Sequence, residues 1–169
     1  MIRIDRDLDQ SDLHVVYNHP DFGELSVVSF FDAPQKNLDT TLFLDLKKIL
    51  GDKFTHHGLM VTSNSNRKIK PANILMAVCE FFWKNPSQLV HGGATPSLGE
   101  IDRKSHMSAF YVTHPHVFNN DYMIDKYLMF IAISEEELSY LNKFGVTALE
   151  RHFQEQDIDV FDVFRRSSL

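Results

Sequence analysis

The chain of 169 residues has the length of one ordinary domain. Its 43% hydrophobic and 24% charged residues exclude a disordered polymer, and no run reaches the roughly 18 apolar residues that a membrane span needs. A net charge of −6 disfavours nucleic acid, whose phosphates would be repelled. A single cysteine, Cys79, excludes an internal disulfide and suits a reducing compartment.

The N-terminus, Met1-Ile2-Arg3-Ile4-Asp5-Arg6-Asp7, alternates charge and lacks the apolar stretch of a secretory signal, so the chain is expected to be cytoplasmic. Leu13 to Tyr17 reads as a strand ended by Asn18-His19-Pro20. Asp21-Phe22-Gly23 reads as a turn and Glu24 to Phe31 as a second strand, together an antiparallel hairpin. Asp32 to Asn37 is a loop. Residues 40–50 place Leu42, Leu46, Ile49 and Leu50 on one helical face before Gly51, although Phe43 and Leu44 fall out of phase and leave a strand open. His57 to Thr62 reads as a third strand and Ser63 to Lys68 as an exposed loop.

Pro71 fits the first position of a helix, where a missing N–H costs nothing. Ala72 to Lys84 is apolar nearly all round, the pattern of a buried helix, and Asn85-Pro86 stops it. Leu89-Val90-His91 reads as a short strand and Gly92-Gly93-Ala94-Thr95-Pro96 as a turn. Met107 to Thr113 is another strand, and His114 to Asp121 a loop.

Tyr127 to Ile133 is an unbroken apolar run that meets Ser134-Glu135-Glu136-Glu137. This spacing predicts a capping box, with the Ser134 side chain and the Glu137 amide, and the Glu137 side chain and the Ser134 amide, bonded reciprocally. Strand, corner and helix follow in that order, and Gly145 ends the helix. Thr147-x-x-Glu150 repeats the spacing and predicts a second capped helix. Ile158, Val160, Phe161 and Val163 suggest a last strand. Six or seven strands and two to four helices define an α+β fold: a single domain over residues 1–169, with a mixed or mostly antiparallel sheet packed against its helices.

Nine histidines raise a metal hypothesis, but only His56-His57 and His114-Pro115-His116 lie close together. Adjacent strand residues point to opposite faces, no cysteine joins them, and no helical H-x-x-x-H is present, so no metal and no cofactor are expected. His91-Gly92-Gly93 lacks the G-x-S-x-G elbow of a hydrolase, and no phosphate-loop motif occurs. Both glycines are better explained by a turn that needs positive φ. Cys79 sits in an apolar helix, where a thiol keeps its proton and stays inert. Arg67, Lys68 and Lys70 make too small a basic loop for nucleic acid. No catalytic residue is assigned.

Charge is the clearer signal. Residues 134–162 hold eight acids against Lys143 and Arg151, an excess equal to the whole net charge. Glu135 and Glu136 in a first helical turn complement the helix dipole, and such a face keeps a protein in solution. It also favours a basic protein partner.

The second half carries a characteristic order of features. A buried helix, Pro71 to Phe82, leads to Leu89-Val90-His91-Gly92-Gly93-Ala94-Thr95-Pro96 and then to Ser108-Ala109-Phe110-Tyr111-Val112. Ile133-Ser134-Glu135-Glu136-Glu137-Leu138, Phe144-Gly145-Val146 and Phe161-Asp162-Val163-Phe164-Arg165-Arg166-Ser167 follow. This order, over about residues 71–169, resembles the suppressor of fused domain family in its small stand-alone bacterial form. The resemblance implies an α+β fold without catalysis that binds a protein partner. It further implies an immunity protein that neutralises a cognate toxin domain. With the charge distribution, it suggests a basic toxin meeting an acidic surface of Glu135, Glu136, Glu150, Asp157 and Asp159. Neither membrane nor nucleic acid is an expected partner. Two alternatives stand beside it: a small hydrolase using the histidine-rich loops near His91, His114 and His116, and a peptide-binding regulatory module.

Overall fold

The computed structural model describes residues 13–33, 36–51, 54–56, 58–64, 71–99, 101–117 and 127–169. Six strands form one sheet: β1 (Leu13–His19), β2 (Gly23–Phe30), β3 (Leu38–Phe43), β4 (Gly58–Asn64), β5 (Ala109–Thr113) and β6 (Tyr127–Ile133). Four α-helices accompany them: α1 (Leu46–Leu50), α2 (Pro71–Lys84), α3 (Glu135–Phe144) and α4 (Val146–Glu155). The strand order is β1-β2-β3-β4-β6-β5. Neighbours are antiparallel except β4 and β6, which run parallel from Gly58 opposite Tyr127 to Val61 opposite Phe130. The sheet is therefore mixed and the fold α+β.

The apolar runs explain the layering. Every residue of β6 is buried, as expected of a central strand covered on both faces. Alternate residues serve opposite cores. Leu128, Phe130 and Ala132 pack with Leu75, Val78 and Phe82 of α2. Met129, Ile131 and Ile133 pack with Leu141 of α3 and with Leu149 and Phe153 of α4. The Phe82 and Phe130 rings stack with centroids 5.2 Å apart and an interplanar angle of 5°. Fully burying one such side chain stabilises by roughly 1.5–3 kcal/mol.

Several sequence expectations are met. The hairpin is β1–β2, the apolar run before Ser134 is β6, and α2 begins at Pro71. The ambiguous stretch 40–50 divides into the end of β3, then α1 with Gly51 after it. Others are corrected. Leu89-Val90-His91 is not a strand. A 3-10 turn at Pro86–Gln88 precedes it, and His91 begins a turn. Ile158 to Val163 is not a strand either. The Asp159 and Asp162 side chains accept hydrogen bonds from the amides of Phe161 and Phe164, two residues on in each case. Such local bonds compete with a ladder and turn the chain, although Val160, Phe161 and Val163 remain buried. The second capping box does not form, because the N-cap of α4 falls two residues early, at Gly145 instead of Thr147, with no side-chain cap bond. His57, the basic loop Arg67 to Lys70 and the Asn119-Asn120 loop lie outside the described residues.

Candidate protein-interaction surface

The corner between β6 and α3 organises one end of the molecule. The Ser134 hydroxyl accepts from the Glu137 amide at 3.1 Å, and Glu137 Oε2 accepts from the Ser134 amide at 3.0 Å. This is the predicted capping box. Glu137 does more than cap. Fully buried, its carboxylate takes both ends of the Arg165 guanidinium, with Nη1 2.5 Å from Oε1 and Nη2 2.9 Å from Oε2. The amide and hydroxyl of Ser168 also donate to Oε1, at 3.0 and 2.7 Å. Arg165 donates further to the Ala132 carbonyl at 3.0 Å and lies 5.1 Å from the Phe153 ring centroid. Burial pushes the Glu137 carboxyl up, but the hydrogen bonds and charge of Arg165, with Ser168 and the Ser134 amide, outweigh it and hold the group below its usual value. The bidentate pair fastens the C-terminal tail to the head of α3.

That clamp shapes a groove of about 590 Å³. His106 and Ser108 form one wall, Glu135 and Glu136 of α3 another, and Arg166 and Ser167 of the tail a third. Glu135 and Glu136 are exposed, as the sequence implied. Glu135 accepts from the Ser97 hydroxyl at 3.0 Å. Hydrogen bonds from its own amide and from Ser134 hold the Glu136 carboxyl below its usual value. Asp157 and Asp159 are exposed after α4. Asp157 sits at φ +51°, a left-handed turn position that Asp tolerates better than most residues. Asp159 is anchored by Asn64 Nδ2 at 3.0 Å. Parallel pairing puts the ends of β4 and β6, at Asn64 and Ile133, at the same end of the sheet. Glu135, Glu136, Asp157 and Asp159 therefore share that end.

Glu150 does not belong with them, which corrects the sequence expectation. Leu149, Glu150 and Phe153 form the inward face of α4. Only 8% of Glu150 is exposed. Its Oε1 accepts from the Thr113 hydroxyl at 2.5 Å and is hydrogen-bonded to His91 Nε2 at 2.9 Å. The helix starts at Val146, with no cap at Thr147 to hold Glu150 in a first turn, so its carboxylate faces β5. The Gly92 turn, at φ +88°, brings His91 to meet it.

The histidine loops of the hydrolase alternative thus converge in part. The His91 and His114 rings lie 5.0 Å apart, and those of His114 and His56 lie 6.2 Å apart. The side chain of His116 lies outside the described residues. Burial lowers the His56 pKa. Among the described residues no group of three or more His, Cys, Asp or Glu is placed to hold a metal. The Thr113 hydroxyl, which shares Glu150 with His91, is wholly buried and donates to that carboxylate. Burial pushes the Cys79 thiol far up, so it stays protonated.

With this geometry in place, kinship to known proteins can be stated. The arrangement is a mixed-sheet α+β fold with a charged end, and the suppressor of fused protein (SUFU) family model matches residues 42–166. The chain belongs to the suppressor of fused family. The match begins well before residue 71, where the motif order first becomes legible. A suppressor of fused homolog from Neisseria gonorrhoeae shares the fold with a TM-score of 0.73 at 16% identity, covering 98% of this chain and 92% of that one. The Sufu–Fu complex structure gives 0.54 at 13% identity, covering 95% and 78%. Drosophila Suppressor of Fused gives 0.55 at 12%, and the match covers 94% of this chain but 44% of that one. No curated protein matches the chain.

Sequence reasoning missed two elements of this site. Arg165 pairs with Glu137 across 28 positions, and no local periodicity signals such a partner. Ser168 had no signal either.

Proposed function

We propose that this protein is a non-catalytic binding domain that acts as an immunity protein, masking a basic toxin domain with the acidic end of its sheet. The observation that carries the reading is the grouping of Glu135, Glu136, Asp157 and Asp159 at one end of the sheet in a suppressor of fused fold. A cationic partner gains on-rate and orientation from such a field. The clamped tail gives the groove a preformed wall, which lowers the ordering cost of association. One relative was solved as the Sufu–Fu complex, which supports protein binding as the mode. The reading places the domain in the cytoplasm beside its target. The test is protection: cells expressing a basic toxin encoded beside this gene should survive only when the chain is co-expressed. Lysis or arrest despite folded, abundant protein would overturn the toxin assignment.

A second reading rests on one observation, the His91–Glu150 pair beside His114. As a hydrolase, the protein would lose ester or phosphoester turnover on His91→Ala. Equal background rates for wild type and variant would end that reading.

A further inference from the structure

The two edges of the sheet are treated differently. β5 is closed along its outer side by the segment from Gly92 to Leu98. The Gly92 amide donates to the Val112 carbonyl and the Val112 amide to the Gly93 carbonyl, both at 2.8 Å. The amides of Thr95 and Leu98 donate to the carbonyls of Phe110 and Ser108 at 2.9 and 2.7 Å. β1 has no such cover among the described residues. It pairs with β2 along all seven positions, from Leu13 opposite Ser29 to His19 opposite Gly23, and with nothing else described.

An open edge is usually guarded by charge, proline or a bulge. β1 has none of these: its sequence, LHVVYNH, contains no Lys, Arg, Asp, Glu or Pro, and its register with β2 runs without a break. It also carries exposed apolar side chains on both faces. Leu13, Val15 and Tyr17 lie on the side of Leu25 and Val27, which pack with α2. Val16 lies on the side of Val28 and Phe30, toward α3 and α4. These side chains stay exposed by 46% at Leu13, 40% at Val15, 50% at Val16 and 46% at Tyr17.

We propose that two copies of the chain associate through β1, antiparallel about a two-fold axis at Val16, to make one continuous sheet. The strand is complementary to itself in that register. Val16 meets Val16, and Val15 meets Tyr17 twice, a β-branched and aromatic pairing of the kind that stabilises sheets. His14 faces Asn18 and Leu13 faces His19, so no like charges oppose each other at neutral pH. A two-fold axis normal to the sheet keeps each side chain on its own face, and only shifts by two residues preserve that. Any such shift leaves residues at the end of each strand unpaired, whereas the Val16 centre pairs all seven. The interface is isologous and closes as a dimer. It is separate from the acidic end: β2, β3 and β4 stand between β1 and β6.

Sedimentation equilibrium of the full chain tests this. Wild type is expected to approach twice the chain mass as concentration rises. Val16→Lys sets two lysines opposite each other, and Val16→Glu sets two glutamates, so each alone should associate roughly a hundredfold more weakly. Mixed in equal amounts they should recover the dimer, because Lys then faces Glu. Val16 is half exposed, so thermal melts should show both variants folded. A wild type that stays monomeric even at about 1 mM overturns the proposal and leaves the edge to a foreign strand. A dimer that survives Val16→Lys, or a mixture that stays monomeric while wild type dimerises, overturns this interface. None of these results bears on toxin protection, which is read separately.

Discussion

Arg165 holds both carboxylate oxygens of Glu137, across 28 positions of sequence and with both side chains buried. The pair joins the N-terminus of α3 to the C-terminal tail. Removing one member leaves a buried charge without its counterion, which costs about 3–5 kcal/mol. Glu137→Gln and Arg165→Met should each lower the unfolding free energy measured by urea denaturation by an amount of that order. The double variant should cost less than the sum, since the second change removes an already orphaned group. Additive losses would show that the two residues act independently.

The same pair sets an acid limit. The folded-state pKa of Glu137 lies below its ordinary 4.5. As pH falls, the unfolded chain takes up that proton first. The stabilisation is therefore complete above about pH 4.5 and is lost as pH falls through the folded value. Urea midpoints measured from pH 7 to pH 3 should drop in this window for wild type, and Glu137→Gln should flatten the drop. A parallel fall in both proteins would assign the acid limit to other carboxylates.

Gly93 explains how β5 is covered. A Cβ there would stand 1.8 Å from the Gln88 carbonyl oxygen and 3.1 Å from that of Val90. Both are backbone atoms and cannot swing away. Gly93→Ala should destabilise by about 1–3 kcal/mol, the range for locally strained backbone, and should speed hydrogen exchange at the Val112 amide, which donates to Gly93. Gly23 gives the contrast. Its φ is +69° but its Cβ would meet nothing, so Gly23→Ala should cost roughly 1–2 kcal/mol from backbone handedness alone and leave that exchange unchanged.

What the sequence disclosed follows from the range of the forces involved. The β6–α3 corner was legible because capping is a four-residue affair, and Ser134 and Glu137 contain the whole interaction. α2 was legible because most of its surface is buried and its composition is correspondingly apolar, with Ala77, Glu80 and Lys84 left to solvent. The Ile158 to Val163 segment misled because burial and conformation separate there: Val160, Phe161 and Val163 are inside, but Asp159 and Asp162 bend the backbone between them. Glu150 misled for a related reason. A carboxylate in an acidic stretch reads as solvated, and only the fold shows Thr113 and His91 waiting for it. Four of the five proposed surface carboxylates do lie exposed at one end of the sheet, although residues from both halves of α3–α4 had to fold together to place them there.

Glu150 therefore separates stability from binding. Glu150→Ala removes the acceptor of the wholly buried Thr113 hydroxyl and should cost about 1–3 kcal/mol. Its effect on affinity for a basic partner, measured well below the melting temperature, should stay within about twofold, because the carboxylate is turned inward. Thr113→Val combined with Glu150→Leu should recover part of the lost stability, since both polar groups then leave together.

Surface charge should behave in the opposite way. Glu135, Glu136 and Asp157 are exposed, and none is required by the buried pair beneath them. Glu135→Lys, Glu136→Lys and Asp157→Lys together should lower stability only by the modest amount that the two first-turn carboxylates of α3 contribute through the helix dipole, because exposed charges otherwise contribute little to folding. Association with a basic toxin domain should slow by roughly 10-fold or more at low ionic strength, with a smaller change in the dissociation rate, since rim charges act mainly on encounter. The dependence of the association rate on salt should also flatten, because screening over about 8–10 Å removes a field the variant no longer has. Stopped-flow rates at several salt concentrations distinguish the two roles. A triple variant with the wild-type salt slope would move the binding surface away from this end of the sheet, whereas a flattened slope in a variant that stays folded assigns the encounter to Glu135, Glu136 and Asp157.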